Sequence, residues 1–115
     1  MKTLIRSFLI VTFWLTTTHL RADTIILLCY DQLRDYRITL NTKNGMLFWE
    51  SSLASTQFNV RKIQRKKDGL YVWGNTKDYG NDYFLKIGMT ASIKYFYGNH
   101  SQAEDPCTLV STLTD

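Results

Sequence analysis

The chain has little of what catalytic and metal sites are usually built from. Its 115 residues include two cysteines, two histidines and one proline, and His100 is the single histidine beyond the first two dozen residues. Two lone cysteines lack the clustered ligands that zinc requires, and one histidine in a polar loop does not make a catalytic triad. Asp78, Asn81 and Asp82 do not follow the order of a calcium loop. We therefore predict no enzymatic activity, no metal and no cofactor.

A long hydrophobic segment is also missing. The apolar run Ser7 to Leu15 gives way to the polar stretch Thr16 to His19, so it is shorter than the roughly 20 apolar residues that a membrane-spanning helix needs. Lys2 and Arg6 precede the run, and Leu20-Arg21-Ala22 follows it as a cleavage tripeptide, which is the pattern of a secretory signal. The sequence predicts a signal peptide at residues 1–22 and a single secreted or periplasmic domain at residues 23–115.

A strong net charge is lacking once the signal is removed. The full chain has 14 basic and 10 acidic residues and a net charge of +4, and losing Lys2, Arg6 and Arg21 leaves 11 basic residues and about +1. A nearly neutral domain has no general attraction to nucleic acids or membranes. We predict no nucleic-acid partner and no stable membrane anchor after cleavage.

The two cysteines, Cys29 and Cys107, lie near the two ends of the predicted mature domain. Export places them in an oxidising compartment, and two cysteines allow a single pairing. We predict a Cys29–Cys107 disulfide, which the chain-entropy model values at roughly 4 to 4.5 kcal/mol for a loop of this length.

No segment has a convincing helical period, whereas aromatic and β-branched residues recur between short turn clusters, as is typical of an antiparallel all-β domain. Lys43-Asn44-Gly45 predicts a tight hairpin, and the out-of-phase Ile63 indicates a bulge near Arg61 and Lys62. The predicted strands are 24–30, 36–41, 46–50, 57–65, 70–75, 82–87 and 92–97, and 108–112 could add a short one. Residues 98–106 are predicted to be a loop. The fold predicted is a small meander of seven to eight strands, either a barrel or a two-sheet sandwich.

Two features of the sequence suggest a binding surface. The run Arg61 to Lys67 has five basic residues in seven and ends at a predicted hairpin, although a charged strand edge that resists pairing has the same composition. Aromatic residues crowd the carboxyl-terminal half, either as interface anchors or as the filling of a barrel. The residues predicted to contact a protein partner are Trp73, Tyr95 and Tyr97 as anchors, with Arg61, Arg65, Lys66 and Lys67 setting orientation and association rate.

The order of signal peptide, early cysteine, β-meander and late cysteine is similar in layout to small bacterial periplasmic proteins, including the lysozyme inhibitors. Those inhibitors carry a Ser-Gly-x-Lys/Arg-Tyr loop, and the nearest segment here, Ser92-Ile93-Lys94-Tyr95, lacks the glycine, so no functional residue is transferred. We expect an exported, non-enzymatic module that binds a protein partner, as an inhibitor or immunity protein does. The alternatives are a barrel that carries an apolar ligand or binds envelope polysaccharide and, with less support, an envelope-polymer hydrolase.

Overall fold

The computed structural model describes residues 23–77, 80–98 and 102–113. Each strand pairs antiparallel with the next one along the chain, and the last strand pairs with the first, so the sheet is a closed barrel. The strands are β1 (Thr24–Tyr30), β2 (Asp35–Asn41), β3 (Met46–Glu50), β4 (Ser55–Lys66), β5 (Gly69–Asn75), β6 (Asp82–Ile87), β7 (Ala91–Phe96) and β8 (Gln102–Leu113). The all-β prediction is confirmed, and of the two architectures left open the barrel is the one formed.

Three sequence-based predictions concern residues outside the described part of the chain. The signal peptide at 1–22, His100, and Asp78 of the calcium pattern all lie there. The described residues contain no helix that could cross a bilayer.

Alternation along each strand decides which side chains fill the barrel, because successive residues of a strand point to opposite faces. In β1 and β2 every second residue is buried, from Ile25 to Cys29 and from Tyr36 to Leu40. The fully buried aliphatic side chains that pack against one another inside are Ile25, Leu27, Ile38, Leu40, Leu47, Leu70, Val72, Leu85 and Ile93.

The Cys29–Cys107 disulfide is present, as predicted. Its two cysteines are direct partners in the pairing of β1 with β8, the joint where the first and last strands close the sheet. The bond therefore covalently ties the one strand pair whose members are farthest apart in the sequence.

The predicted bulge in β4 is also confirmed, since the register with β5 shifts between Val60 and Lys62. Gly74 lies opposite this bulge, and a Cβ added to it would lie 1.9 Å from the Asn59 carbonyl oxygen and 2.7 Å from the Tyr83 hydroxyl. The Tyr83 hydroxyl donates to that same carbonyl at 2.9 Å. A glycine is thus required where β4, β5 and the Tyr83 side chain meet.

The prediction of a loop over residues 98–106 is wrong for its second half, because β8 begins at Gln102. Ala103 and Asp105 lie opposite Tyr95 and Ile93 of β7, so tertiary pairing rather than local propensity makes this segment a strand. Pro106 is tolerated because β1 ends beside it, the last β1–β8 pair being Cys29 with Cys107, which leaves one edge of β8 unpaired there.

Candidate functional site

The two ends of the barrel differ in how they are filled. One end carries the β2–β3, β4–β5 and β6–β7 turns, and the buried aliphatic side chains pack beneath them. The other end carries the remaining connections between strands, and there the interior opens into a cavity of about 450 Å³, within the range of small-molecule sites. The side chains that line it are Asp31, Arg34, Tyr36, Trp49, Ala54, Ser55, Thr56, Phe58, Thr76, Asn81, Tyr95, Tyr97, Ala103 and Asp105.

Side-chain size explains why this end stays open. The strand ends contribute small residues to the cavity wall, such as Ser55 and Thr56 at the start of β4 and Ala103 in β8. The aliphatic layer stops one step deeper, where Ile38 and Ile93 are fully buried. The cavity is therefore a cup whose floor is the packed half of the barrel.

Among the described residues, five aromatic side chains line the cup, those of Tyr36, Trp49, Phe58, Tyr95 and Tyr97. Tyr36 packs against Trp49 with ring centroids 5.3 Å apart, and Phe58 meets Tyr95 edge to face at 6.4 Å. Pairs at these distances are mutually stabilising, so the rings hold one another in place. The aromatic side chains that line the cup therefore form a wall in which the rings pack against one another.

A chain of hydrogen bonds crosses the cup and ends on a carboxylate. The Tyr95 hydroxyl donates to the Tyr36 hydroxyl at 3.0 Å, and the Tyr36 hydroxyl donates to Asp105 Oδ2 at 2.5 Å. The three residues come from β7, β2 and β8, so three strands fix the position of one acidic group.

Burial controls the titration of these groups. It raises the pKa of the Tyr36 hydroxyl, and nearby Tyr95 and Asp105 raise it further. Burial likewise raises the pKa of Tyr95, against a smaller opposing effect of its hydrogen bond to Tyr36. The pKa of Asp105 is also raised by burial, although the hydrogen bond from Tyr36 opposes the shift. Both tyrosines are therefore neutral donors at physiological pH.

The mouth of the cup carries one opposite-charge pair. Asp31 Oδ1 accepts hydrogen bonds from the backbone N–H groups of Leu33 and Arg34, and its Oδ2 lies 3.7 Å from Arg34 Nε. The Arg34 guanidinium also lies over the Trp49 ring, 5.2 Å from its centroid. The β1–β2 connection is thus pinned to the rim of the aromatic wall.

A shallower groove lies outside the wall, between the β1–β2 connection and the first half of β8. It shares Asp31, Ala103 and Asp105 with the cup. The groove exists because β8 pairs with β7 but not with β1 over Gln102–Pro106. Asp105 therefore stands between the two concavities.

The structure divides the residues predicted to bind a partner into two groups. Tyr95 is buried at the floor of the cup, and Tyr97 is partly exposed on its rim. Trp73 lies on the outer face of β5, stacked with Tyr71 at 6.2 Å and with Phe84 at 5.1 Å. The three predicted anchors are therefore not on one surface.

The predicted basic residues are spread along the outside of β4 and its turn. Arg61 Nη1 lies 3.3 Å from Asp82 Oδ1, and Arg65 Nη2 lies 3.4 Å from Thr42 Oγ1. Lys66 Nζ lies 4.9 Å from the centroid of the Tyr71 ring, and Lys67 is exposed in the β4–β5 turn. Of these four, Lys66 contacts the ring stack that contains Trp73.

Most of the residues that line the cup are not predicted as site residues from the sequence. The alternation of Tyr36, Ile38 and Leu40 with polar residues predicts that Tyr36 faces inward. Nothing near it in the sequence predicts its hydrogen bonds, because its two partners are 59 and 69 residues away. Asp105 was assigned to a loop, so its inward orientation could not be inferred. For Phe58 the alternation in the predicted strand 57–65 is the available signal, whereas Trp49 ends the continuous apolar run Met46 to Trp49, in which alternation gives none.

The chain matches no family model, no curated protein and no solved structure. In the part of the chain that the structure describes, no group of three or more His, Cys, Asp or Glu side chains could hold a metal ion. The arrangement in the cup is suited to non-covalent binding of a small molecule by rings and hydrogen bonds.

Proposed function

We propose that this protein binds a small organic molecule with an apolar body in the open end of its barrel. The observation that carries the proposal is the cavity of about 450 Å³ lined by aromatic rings. Proteins pack their interiors closely, and a pocket with a mostly apolar lining and a few fixed polar groups is the usual form of a small-molecule site. This function corresponds to the ligand-carrying alternative of the sequence analysis.

We also propose that binding takes place after export. The Cys29–Cys107 disulfide is compatible with that location, because such bonds persist in oxidising compartments and are rare in the cytosol. Intact mass of the protein recovered from the producing cell, with its amino terminus sequenced, tests the cleavage at residue 22; an uncleaved chain retained in the cytosol would contradict it.

Filling the cup from its wall tests the binding site. Ala103 lines the cavity, whereas its neighbour Gln102 is exposed, so Ala103→Phe adds a ring inside and Gln102→Phe adds the same ring outside. Protein purified after expression of the full-length gene is titrated with the neutral dye phenylnaphthylamine, whose fluorescence rises in apolar surroundings. Ala103→Phe should weaken dye binding at least about tenfold, which is about 1.4 kcal/mol, and Gln102→Phe should leave it unchanged.

Two results would contradict the proposal. One is a folded wild-type protein, verified by circular dichroism, that binds neither the dye nor any apolar small molecule retained through purification and seen by native mass spectrometry. The other is dye binding that Ala103→Phe leaves intact. Quenching of Trp49, identified by its loss in Trp49→Phe, gives a second readout from within the cup.

A second candidate is the binding of an acidic protein partner, which corresponds to the function first expected from the sequence. It is favoured by the outer face of β4, β5 and β6, where Tyr71, Trp73 and Phe84 stack. Lysine ammonium groups lie 4.9 to 5.8 Å from the ring centroids, namely those of Lys62, Lys66 and Lys86. The lysine stems cover the rings, so this face presents positive charge outward.

Charge reversal tests this second candidate. A partner cross-linked to the wild-type protein in the producing cell should be lost in Lys66→Glu and in Trp73→Ala. It should be kept in Lys43→Glu, which makes the same charge change in the exposed β2–β3 turn. A partner retained by all three variants does not use this face, and that result would reject the candidate.

A further inference from the structure

We propose that the cup selects ligands that carry a positively charged amine and that the Asp105 carboxylate recognises this group. The inference rests on the function proposed above, because it assigns a chemical class to the ligand of the same cavity. It follows from the charge balance of the cup, from the geometry at Asp105 and from the nature of the wall.

The charge balance of the cup is negative. Its lining contains three charged side chains, Asp31, Arg34 and Asp105. Arg34 is paired with Asp31 at 3.7 Å, whereas no lysine or arginine among the described residues forms an ion pair with Asp105. Among the described residues of the lining, Asp105 is thus the one uncompensated charge, and it attracts a cation.

The geometry at Asp105 leaves a fixed acceptor for a ligand. Its Oδ2 accepts the hydrogen bond from Tyr36, and in the described part of the chain no donor reaches Oδ1. The residue lies on a strand rather than in a loop, and its partner Tyr36 is held in turn by Tyr95. A carboxylate placed this way offers a charge-assisted hydrogen bond, which is stronger than a neutral one.

The aromatic wall favours the same class of ligand. Ring faces attract cations through their quadrupole. Tyr36 and Tyr95, which are linked to Asp105 by hydrogen bonds, line the cup with it, whereas the Arg34 guanidinium already lies over the Trp49 ring. An ammonium group between these rings and the carboxylate would be attracted by both. A carboxylate ligand at the same position would meet the like charge of Asp105.

The titration of Asp105 supports this reading. Burial raises the pKa of its carboxyl group, so the ionised form is disfavoured by the protein alone. A bound ammonium reverses that effect, because a nearby opposite charge favours the ionised form. Ligand binding and ionisation of Asp105 are then coupled.

A matched set of ligands tests the inference. Phenethylamine, phenethyl alcohol and hydrocinnamate share one apolar body and differ in charge, and each is used near pH 7 to displace phenylnaphthylamine from the protein made from the full-length gene. We expect the amine to bind at least about tenfold more tightly than the alcohol, and hydrocinnamate to bind most weakly. Asp105→Asn should reduce the preference for the amine over the alcohol to within about twofold.

Asp82→Asn is the matched control. It removes the same charge by the same substitution, but Asp82 is exposed and pairs with Arg61 outside the cup, so the amine preference should persist. The inference would be overturned if the wild-type protein bound amine and alcohol equally, or if the amine preference survived in Asp105→Asn. Binding of the dye in the same experiment would still support the proposed cavity. Failure of the dye and of all three ligands to bind a folded protein would overturn the proposed function itself.

A pH series on the wild-type protein is a second measurement that does not depend on the folding of Asp105→Asn, because an amine affinity that stays level as pH drops would contradict the inference. Amine affinity should fall as pH drops and Asp105 takes up a proton, whereas alcohol affinity should stay level. In the part of the chain that the structure describes, the other titratable or charged groups that face the cup are Asp31, Arg34, Tyr36, Tyr95 and Tyr97. In folded Asp105→Asn a dependence caused by any of these would remain, so a level amine profile there assigns the effect to Asp105.

Discussion

The proposed recognition of an amine needs Asp105 to be ionised, but the ionised form of this partly buried side chain lowers the stability of the folded protein. Its pKa is raised mainly by burial, so the folded state binds a proton more tightly than the unfolded chain does. Ionisation of Asp105 therefore costs stability above its folded-state pKa, and the cost disappears as pH falls through the raised value to the ordinary range of an aspartate. A carboxylate kept in such a place is a candidate for function rather than for folding.

Replacing Asp105 by asparagine should thus leave stability near pH 7 within about 1 kcal/mol of wild type or higher, because the amide oxygen still accepts from Tyr36 and no charge is buried. As pH is lowered, the free energy of unfolding of the wild-type protein should rise relative to that of Asp105→Asn, since only the wild-type chain takes up a proton at this position. Guanidinium unfolding at several pH values measures both effects, with Asp82→Asn as the control. A loss of several kcal/mol near pH 7 would show instead that the carboxylate holds the fold together.

For single residues, the alternation of apolar and polar side chains predicts which residues share a face of a strand. The residue types alone do not predict which of them form the binding cavity. Alternation predicts Tyr95 and Tyr97 on one face of their strand and Phe96 on the other, and in the structure Tyr95 and Tyr97 line the cup while Phe96 faces out. What alternation cannot tell is which face of a strand is inside a barrel and which is outside. For this reason Trp73 and Tyr95 are both predicted as anchors for a protein partner, although a wall of the barrel separates them.

Among the elements, the β4–β5 pair depends on one glycine. A methyl group on Gly74 would approach the Asn59 carbonyl oxygen to 1.9 Å, and this oxygen already accepts the hydrogen bond from Tyr83. Because the nearest atom belongs to the backbone, β4 itself would have to move, and the bulge between Val60 and Lys62 would be disturbed with it.

Gly74→Ala should therefore lower the free energy of unfolding by at least about 2 kcal/mol, in the upper part of the range for overpacked interiors. Gly98→Ala is the control, because a Cβ there meets nothing within 4 Å. Thermal and chemical unfolding of both variants make the comparison. Equal stability of the two would mean that β4 can shift without cost and that the close approach at Gly74 does not constrain the sheet.

The strands and turns that the sequence predicted well are those whose structure is determined by residues close together in the chain. β1, β3 and β6 have the predicted bounds, and the hairpin at Lys43-Asn44-Gly45 uses Gly45 at a φ of 66°. β8 differs, because its first half pairs with β7 and its second half with β1. Polar residues and a proline over 102–106 have no strand propensity of their own, so this strand could not be predicted from the residues within it.

For the whole molecule, closure of the barrel is the step with the greatest entropic cost. Seven of the eight pairings join strands adjacent in sequence, whereas β1 and β8 join the two ends of the domain. Long loops lose more freedom when their ends are brought together. The disulfide, with a sequence separation of 78 residues, removes this cost from folding because the unfolded chain is already tied at the same point.

Reduction of the Cys29–Cys107 bond should lower the free energy of unfolding by about 2 to 4 kcal/mol and should loosen the β1–β8 joint first. Hydrogen exchange should then speed up in β8 from Thr108 to Leu113, which pairs only with β1 among the described strands, more than in β5, which pairs on both sides. The double variant Cys29→Ala, Cys107→Ala should behave like the reduced protein and should not respond to reductant, which separates loss of the bond from side effects of the reagent. If the reduced protein matched the oxidised one in stability and in β8 exchange, non-covalent pairing alone would be sufficient to close the barrel.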